Sequence, residues 1–257
     1  MSTVVPPLSS AEELRGRVAV VTGGTNGLGR HLARTLVSLG AEVFFCGRKA
    51  ELGRTLAADW GPLAHFVPCS LESAQETRAF IEQAGAFRGS IDYLVNNAAI
   101  DPSIPFEETS LDEFDRVLAV NLRSYFVTAQ AALPFLKAGV GKAIVNIGTT
   151  NWMIGQPNYT AYSAAKSGIL GFSRSLAHDA GAHGIRVNMV SPGWIMTERQ
   201  LAEKVTEPLK AELIRDTAVK QLMEEQHVTP ATLFLLSSAA AGISGQNLVV
   251  DGGKYMQ

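Results

Sequence analysis

The chain has 257 residues, of which 46% are hydrophobic and 18% charged, and its formal net charge is −2. This composition favours collapse around an apolar core over disorder, and its weak charge gives no overall basic field for nucleic acid. No apolar segment reaches the ~18–20 residues that cross a bilayer, and the N-terminal segment lacks the pattern of a secretion signal. Two cysteines form no disulfide framework, and five dispersed histidines form no metal-ligand spacing. We therefore expect a soluble cytoplasmic protein without a metal, nucleic-acid or membrane partner.

Short apolar segments alternate with longer segments of helical character along the chain. Residues 1–15, which include two prolines, are predicted to be a flexible leader, and residues 16–257 a single domain. The predicted strands are 17–22, 42–46, 64–68, 91–96, 142–147, 186–191 and 247–250, and the predicted helices are 28–39, 50–60, 73–85, 111–137, 159–182 and 230–237. Most of these strands are continuously apolar, which is typical of strands covered on both faces. The alternation predicts an α/β fold with one doubly wound parallel sheet and helices on both faces.

The alternation is interrupted between residues 196 and 228, where the sequence is charged and has helical propensity. An insertion after the carboxyl end of a strand is where a sheet of this kind places a lid over its ligand. We therefore predict a helical substrate lid at about residues 194–228.

The first predicted strand runs into a helix through the glycine-rich turn Thr22-Gly23-Gly24-Thr25-Asn26-Gly27-Leu28-Gly29. Glycines here allow a tight turn, close approach of a pyrophosphate and packing of the helix on the sheet. The helix N-terminus offers free N–H groups and partial positive charge to an anion. The context predicts nucleotide binding, with contacts from Gly23, Thr25, Asn26, Gly27 and Leu28.

The second predicted strand ends at Cys46-Gly47-Arg48 without a carboxylate. A carboxylate at this position would bind both ribose hydroxyls of an adenosine and repel a 2′-phosphate. The planar guanidinium of Arg48 is suited to a 2′-phosphate instead. NADP is therefore favoured as the cofactor and NAD remains possible, since Arg48 could also be a solvated residue at the start of the next helix.

Tyr162 and Lys166 lie four residues apart in a predicted helix, so their side chains share one face. An ammonium group favours a neighbouring phenolate, and we expect Lys166 to lower the pKa of Tyr162 from its ordinary value of ~10. Tyr162 would then carry protons near neutral pH. Thr149 ends a predicted strand, where its hydroxyl is placed to hold a carbonyl or hydroxyl of a substrate.

Several motifs in this order resemble the short-chain dehydrogenase/reductase family over about residues 16–253. They are Thr22-Gly23 with Gly27 and Gly29, Asn96-Asn97-Ala98-Ala99, Val120-Asn121-Leu122, Thr149, Tyr162 with Lys166, Pro192-Gly193 with Thr197, and Val249-Val250-Asp251-Gly252-Gly253. The resemblance implies a Rossmann-type oxidoreductase that transfers a hydride between a nicotinamide cofactor and a hydroxyl or carbonyl group.

The resemblance also implies roles for individual residues. Tyr162 would be the general acid/base, Lys166 would hold the nicotinamide ribose and tune Tyr162, and Asn121 would position a water that links Lys166 to solvent. Further cofactor contacts are implied for Ser70, Leu71, Asn97, Ala98, Pro192, Gly193, Ile195 and Thr197. Of these, Asn97 and Ala98 would line the adenosine side, and Ile195 and Thr197 the nicotinamide carboxamide or the phosphates.

Three positions depart from the family pattern. Thr149 stands where serine is usual, which keeps the hydroxyl, and Thr150 beside it is a second candidate for the catalytic hydroxyl. Ser70 replaces an aspartate that contacts adenine in many relatives. Ala99 replaces a glycine and restricts the backbone.

Two segments are expected to border the substrate. They contribute Asn151, Trp152 and Gln156 after Thr149, and Trp194, Glu198 and Arg199 after the sixth strand. Amides that read hydroxyls and a flat aromatic ring suit a small polar substrate such as a sugar. The alternative is that the two tryptophans pack the loops and Asn151 caps a turn.

These segments resemble family members that oxidise aldoses at carbon 1 to the lactone. A second hypothesis is a 3-oxoacyl-carrier-protein reductase or general carbonyl reductase, which would need a basic patch drawn from Arg123, Lys137, Lys142 and Arg174. A third, of another class, is a silent nucleotide-binding scaffold. The intact set of Tyr162, Lys166, Asn121 and Thr149 speaks against the third.

The predicted helices 111–137 and 159–182 carry apolar residues, including Tyr125, Phe126 and Phe172, on more than one face. One face must cover the sheet, and the other indicates a subunit contact. In the family these helices form a dimer interface and the C-terminal strand region makes another, which implies a homotetramer.

Overall fold

The structure, a computed structural model, describes residues 11–256. In this part of the chain a parallel sheet has the strand order β3-β2-β1-β4-β5-β6-β7. The strands are β1 Val18–Val21, β2 Glu42–Gly47, β3 Ala64–Pro68, β4 Tyr93–Asn96, β5 Ala143–Ile147, β6 Arg186–Pro192 and β7 Asn247–Val250. The doubly wound fold predicted from the alternation is confirmed.

Helices cover both faces of the sheet. Their bounds are α1 Ala11–Leu14, α2 Gly27–Ser38, α3 Ala50–Trp60, α4 Ala74–Arg88, α5 Leu111–Leu118, α6 Ser124–Ala138, α7 Asn151–Ile154, α8 Thr160–Gly181, α9 Glu198–Glu203, α10 Glu207–Asp216 and α11 Glu225–Leu236. One apolar core joins the sheet to α2 and α11 through residues such as Leu32 and Val228. A second core joins the opposite face to α4, α6 and α8 through residues such as Phe80 and Leu136. Strands enclosed between two cores must be apolar on both faces, which explains their continuous apolar sequences.

Strand order reverses between β1 and β4, which are neighbours in the sheet. Connections from these two strands therefore leave toward opposite faces, and a crevice opens at their carboxyl ends. The glycine-rich turn follows β1 and the Asn97-Ala98 segment follows β4, so the topology brings the two motifs together.

Several predicted boundaries need correction. The flexible leader is wrong for residues 11–14, which form α1 with Leu14 buried, while residues 1–10 lie outside the described residues. The predicted helix 111–137 is divided by a π-helical turn at Ala119–Arg123, which contains Asn121. The lid cannot extend to residue 228, because α11 begins at Glu225 and buries Val228 against the sheet.

The lid region contains two short helices, α9 and α10, and the short helix α7 follows Thr150. The predicted helical character of the lid region agrees with α9 and α10, whereas α7 was not predicted, since one turn carries almost no periodic signal. Among the helices of residues 11–256, none is both long enough and apolar enough to cross a membrane.

Candidate active site

A cleft of about 1160 Å³ opens at the carboxyl ends of the strands. It extends from the glycine-rich turn to the lid helices. Every residue predicted to form the site lines this cleft except Asn121 and Trp152. Residues that lie up to 176 positions apart in the chain, with Gly23 and Arg199 at the extremes, thus line the same cleft.

The glycine-rich turn forms one end of the cleft. Gly23 and Gly27 have φ values of +69° and +47°, which side chains disfavour. A Cβ on Gly29 would lie 2.3 Å from the Asn97 side-chain nitrogen, which itself donates to the Thr22 carbonyl at 3.0 Å. The close packing of the turn against the segment after β4 therefore requires glycine.

The first turn of α2 faces this cleft through Gly27, Leu28 and Gly29. Asn26 precedes the helix without a side-chain capping hydrogen bond. The N–H groups of a first helical turn have no intrahelical partner, and the Asn26 side chain does not accept a hydrogen bond from them. An uncapped helix start behind a glycine turn fits the pyrophosphate of a dinucleotide.

The part of the cleft that is predicted to hold an adenosine, called the adenosine end below, is lined by Arg48, Ser70, Leu71 and Glu72. The Arg48 side chain is 66% exposed, with its nearest carboxylate, that of Glu72, at 3.8 Å. The Ser70 N–H already donates to the Glu76 carboxylate at 2.8 Å, which leaves its hydroxyl as the group able to contact a base. The end of β2 offers a guanidinium and no carboxylate of its own.

Lys166 is 1% exposed and lines the cleft. Its ammonium nitrogen donates to the Ile147 carbonyl at 2.8 Å and to the Tyr125 hydroxyl at 3.1 Å. Burial lowers the pKa of Lys166 to about 7. The lysine is therefore close to its titration midpoint at neutral pH.

Tyr162 lies beside Lys166, with the lysine nitrogen 5.9 Å from the centre of the phenol ring. Burial raises the pKa of Tyr162 well above its ordinary value, the Asp101 carboxylate adds to the rise, and a hydrogen bond from Thr149 partly offsets it. The predicted lowering of this pKa by Lys166 is therefore wrong for the protein alone. The main reason is that burial of the phenol disfavours the phenolate, and burial also disfavours the charge of Lys166 on which the prediction relied.

The structure distinguishes the two threonines that follow β5. The Thr149 hydroxyl hydrogen-bonds Tyr162 and accepts from the Asn151 N–H at 3.2 Å. The Thr150 hydroxyl is buried and donates to the Pro192 carbonyl at 3.4 Å. Of the two threonines, Thr149 is therefore the one whose hydroxyl interacts with the Tyr162 hydroxyl.

Asn121 is fully buried, and its side chain binds the backbone of Ile100 twice. Its carbonyl oxygen accepts from the Ile100 N–H and its amide donates to the Ile100 carbonyl, both at 2.8 Å. The side chain thus fixes the segment after β4 and does not enter the cleft.

The part of the cleft next to the lid, where the substrate is predicted to bind and which is called the substrate end below, is strongly polar. Arg199 and Lys204 bind the Asp101 carboxylate at 2.5 and 3.0 Å, and Glu198 binds Arg30 of α2 at 2.7 Å. Trp194 lines the cleft and donates through its indole N–H to Gln200 at 3.0 Å. Asn151 accepts from the Ser163 hydroxyl at 3.1 Å.

Trp152 does not line the cleft, so its prediction as a substrate contact is wrong. It lies in the first turn of α7, and its indole nitrogen is buried without a protein hydrogen-bond partner. The alternative that this tryptophan packs the loop agrees with the structure, whereas Trp194 remains in the cleft.

Sequence reasoning missed several residues of the site: Asp101, Tyr125, Tyr159 and Lys204. Tyr125 was predicted only as one of the apolar residues of its helix, and the structure buries it fully against Lys166. Asp101 had one available signal, since it follows the Asn96-Asn97-Ala98-Ala99 motif closely in sequence. In residues 11–256, no group of three or more His, Cys, Asp or Glu side chains is placed to hold a metal ion.

Comparisons with known proteins give a consistent result. A family model described as enoyl-(acyl carrier protein) reductase matches residues 23–254. A probable galactose dehydrogenase from Rhizobium meliloti is 36% identical over 97% of this chain and 99% of that protein. A 3-oxoacyl-[acyl-carrier-protein] reductase from Haemophilus influenzae is 34% identical over 95% of this chain and all of that protein. A solved structure from Brucella melitensis, described as a short-chain dehydrogenase/reductase of the glucose/ribitol dehydrogenase type, has a TM-score of 0.89 and 28% identity, covering 95% and 99% of the two chains.

Proposed function

Because this chain belongs to the short-chain dehydrogenase/reductase family and is an NAD(P)-dependent oxidoreductase, we propose that it oxidises an aldose at carbon 1 to the lactone. The relative from Rhizobium meliloti named as a galactose dehydrogenase supports this substrate class, since it matches nearly the whole chain. Galactose and its close analogues are the first substrates to test.

The observation that carries the proposal is the polarity of the substrate end. Besides Tyr162, the polar residues that line the cleft on this side are Asp101, Asn151, Gln156, Tyr159, Glu198, Arg199, Gln200, Glu203, Lys204 and Glu212. Although several of these groups already bind one another, their remaining donors and acceptors need hydrogen-bond partners when a ligand displaces water, and leaving them unpaired is costly. A substrate with several hydroxyl groups supplies those partners, whereas an acyl chain supplies none.

We assign the proton transfer to Tyr162. The bound nicotinamide supplies a hydride acceptor, and oxidation at carbon 1 then requires removal of the hydroxyl proton. The Tyr162 phenolate takes that proton while Thr149 donates a hydrogen bond to the same substrate oxygen. Protonated Lys166 would stabilise the phenolate and hold the nicotinamide ribose, and its pKa of about 7 leaves a protonated fraction of the lysine at neutral pH.

NADP is the cofactor that the adenosine end supports better. Arg48 is exposed at the end of β2 and is available for a bidentate contact to a 2′-phosphate. Gly23, Thr25, Asn26, Gly27 and Leu28 would hold the pyrophosphate, Ser70, Leu71, Asn97 and Ala98 the adenosine, and Pro192, Gly193, Ile195 and Thr197 the nicotinamide half. NAD remains the alternative cofactor, because Glu72 partly neutralises Arg48.

A water held between Lys166 and solvent is part of the same proposal. Both polar atoms of the Asn121 side chain bind Ile100, so any water at Asn121 is held by its backbone carbonyl. Asn121 lies in the π-helical turn, where the hydrogen-bond ladder is shifted and such carbonyls are available.

A 3-oxoacyl-carrier-protein reductase is the second candidate, and both the matched family model and the relative from Haemophilus influenzae favour it. Carboxylates at the mouth of the cleft count against it, because Glu198, Glu203 and Glu212 would repel an acidic carrier protein. Arg123, one of the predicted basic-patch residues, is engaged with the Glu72 carbonyl at 2.6 Å.

The experiment is a panel of aldoses and 3-oxoacyl thioesters, each measured with NADP and NAD by the absorbance of the reduced cofactor. We expect galactose or a related aldose to be oxidised, with NADP preferred. If no aldose reacts and a 3-oxoacyl thioester is reduced rapidly, the second candidate replaces the first. Tyr162→Phe serves as the control for turnover at any other site.

We also propose a cytoplasmic homotetramer. Phe126 of α6 is 51% exposed and packs against Phe172 of α8, and Leu248 of β7 is 37% exposed. Both described cysteines are unpaired, which suits a reducing compartment. Light scattering should give four times the monomer mass, and a monomer mass would contradict the assembly.

A further inference from the structure

Asp101 lies on the segment after β4 and binds three positions of the lid. Its carboxylate accepts from Arg199 at 2.5 Å, from Lys204 at 3.0 Å and from the Gln200 amide at 3.2 Å. Its backbone carbonyl accepts a further bond from Lys204 at 3.3 Å. One residue thus collects hydrogen bonds from the beginning of α9 and from the residue that follows its end.

The lid helix has little else to hold it in place. Helix α9 has six residues, and none of them is buried. A helix of this length is not stable by itself, and without buried side chains it gains little from packing. Apart from the Asp101 contacts, the polar side-chain links of α9 to other segments of residues 11–256 are the hydrogen bond from Trp194 to Gln200 and the ion pair of Glu198 with Arg30, in which the Glu198 side chain is 79% exposed. Ion pairs this exposed contribute little.

The segment that carries Asp101 is itself held in place by hydrogen bonds. Asn121 binds both backbone groups of Ile100, directly before Asp101, and Asn97 binds the Thr22 carbonyl at 3.0 Å. The Asp101 carboxylate is therefore presented from a fixed segment to a lid that depends on it. Burial raises the pKa of Asp101, but hydrogen bonds and charges from Arg199 and Lys204 outweigh this and hold the pKa below its usual value. The group is ionised at neutral pH.

We propose that Asp101 is a positioning residue that holds α9 closed over Tyr162 and thereby sets the affinity for substrate. The proposal rests on the proposed function for the identity of that substrate, but not for the contact itself. Asp101 does not touch the reacting atoms in this role. Its effect passes through Arg199 and Lys204, which line the cleft, and Lys204 also donates to Tyr159 at 3.3 Å, next to Tyr162.

Limited trypsin digestion tests the contact without any substrate. Trypsin cleaves after Arg199 and Lys204, the two side chains that Asp101 holds. In Asp101→Asn the charge is lost but the shape is kept, and we expect cleavage at these two sites to be about tenfold faster, as for loss of a charged hydrogen bond. Glu51→Gln is the matched control, because it removes an exposed ion pair with Arg54 at 2.5 Å on α3, away from the lid. Equal cleavage rates in Asp101→Asn, Glu51→Gln and the wild type would overturn the proposal.

Kinetics then separate positioning from a general structural effect. For the best substrate of the panel we expect KM to rise about tenfold in Asp101→Asn while kcat changes less than about threefold, because the lid binds substrate and does not carry out proton transfer. The Lys204→Met variant should give a similar rise, and the double variant little more than either single one. A fall in kcat with unchanged KM, or additive effects, would contradict the role.

A combination of outcomes also distinguishes this inference from the proposed function. If no aldose reacts but trypsin distinguishes Asp101→Asn from the control, the lid contact stands and the substrate assignment fails. If aldoses react but trypsin cleaves Asp101→Asn and the control at equal rates, the substrate assignment stands and the proposed role of Asp101 fails. Thermal unfolding of each variant checks that faster cleavage reflects the lid and not global unfolding.

Discussion

The two ends of the cleft are constructed differently. At the cofactor end, Gly23, Gly27 and Gly29 shape a backbone turn directly on the sheet. At the substrate end, the charged side chains of Asp101, Arg199 and Lys204 join a short helix to a loop. A site made from backbone tolerates little change in residue type, whereas a site made from paired side chains can be rearranged with few substitutions. This difference is the reason that cofactor binding follows from the family and substrate choice does not.

Tyr162 lies between the two ends, and its removal should have the largest effect. We expect Tyr162→Phe to lower kcat by about a thousandfold, in the range for loss of a general acid/base, with unchanged cofactor affinity. Stopped-flow or steady-state rates and a fluorescence titration of the reduced cofactor measure the two quantities. Tyr93→Phe is the matched control. It also removes a buried tyrosine hydroxyl, but this hydroxyl has no protein hydrogen-bond partner and Tyr93 does not line the cleft. Loss of cofactor binding in Tyr162→Phe would show that the tyrosine acts differently.

The rigidity of the cofactor end is tested at Gly29. A Cβ there would lie 2.3 Å from both the Asn97 side-chain nitrogen and the Gly23 carbonyl oxygen. Because a displacement of about 1 Å can cost about a hundredfold, we expect Gly29→Ala to weaken cofactor binding by that order. Gly171→Ala in α8 is the control, since a Cβ at Gly171 meets nothing within 4 Å. Equal cofactor affinity in the two variants would contradict the need for close backbone packing.

The pH dependence of stability reports on Lys166. Its pKa is lowered by burial from 10.5 to about 7 in the folded protein, so between these pH values the unfolded chain binds a proton that the folded chain lacks. The free energy of unfolding should therefore rise between about pH 7 and 10, by roughly 4 kcal/mol at most from this group. Chemical denaturation at several pH values measures the slope. In Lys166→Met the free energy of unfolding should depend less on pH in this range. An unchanged slope would show that another group causes the pH dependence.

The smallest effect is expected at Arg48, which is mostly exposed. We expect Arg48→Ala to raise KM for NADP about tenfold, as for loss of a charge-assisted contact, and to leave KM for NAD nearly unchanged. Equal changes for both cofactors would show that Arg48 does not recognise the 2′-phosphate. The ratio of the two KM values is the readout, because it cancels any general loss of activity.

Much of the fold could be predicted from sequence, because enclosed strands such as Val18–Val21 leave a continuous apolar pattern. The glycine turn and the pair Tyr162 and Lys166 were also predictable, since local spacing determines which side chains share a face. The division of the long helix at Ala119–Arg123 was not, because a π-helical turn leaves no periodic signal of its own.

The pKa values of the site and the contacts of the lid could not be predicted from sequence patterns, because both depend on the folded structure. Spacing predicted that Lys166 would acidify Tyr162, but burial acts on both groups and no pattern reveals how deeply they lie. Asp101 and Arg199 are separated by 98 positions in the chain. A pair at that separation becomes visible only when the fold places the two segments side by side.

Isotope transfer is the most direct test of the central claim that Tyr162 serves a hydride transfer from carbon 1 of an aldose. Galactose deuterated at carbon 1 is incubated with NADP and the enzyme, and the reduced cofactor is analysed by mass spectrometry. We predict that the cofactor acquires deuterium with the wild type and that the transfer is about a thousandfold slower with Tyr162→Phe. Reduced cofactor without deuterium, or equal transfer rates in the two proteins, would contradict the account.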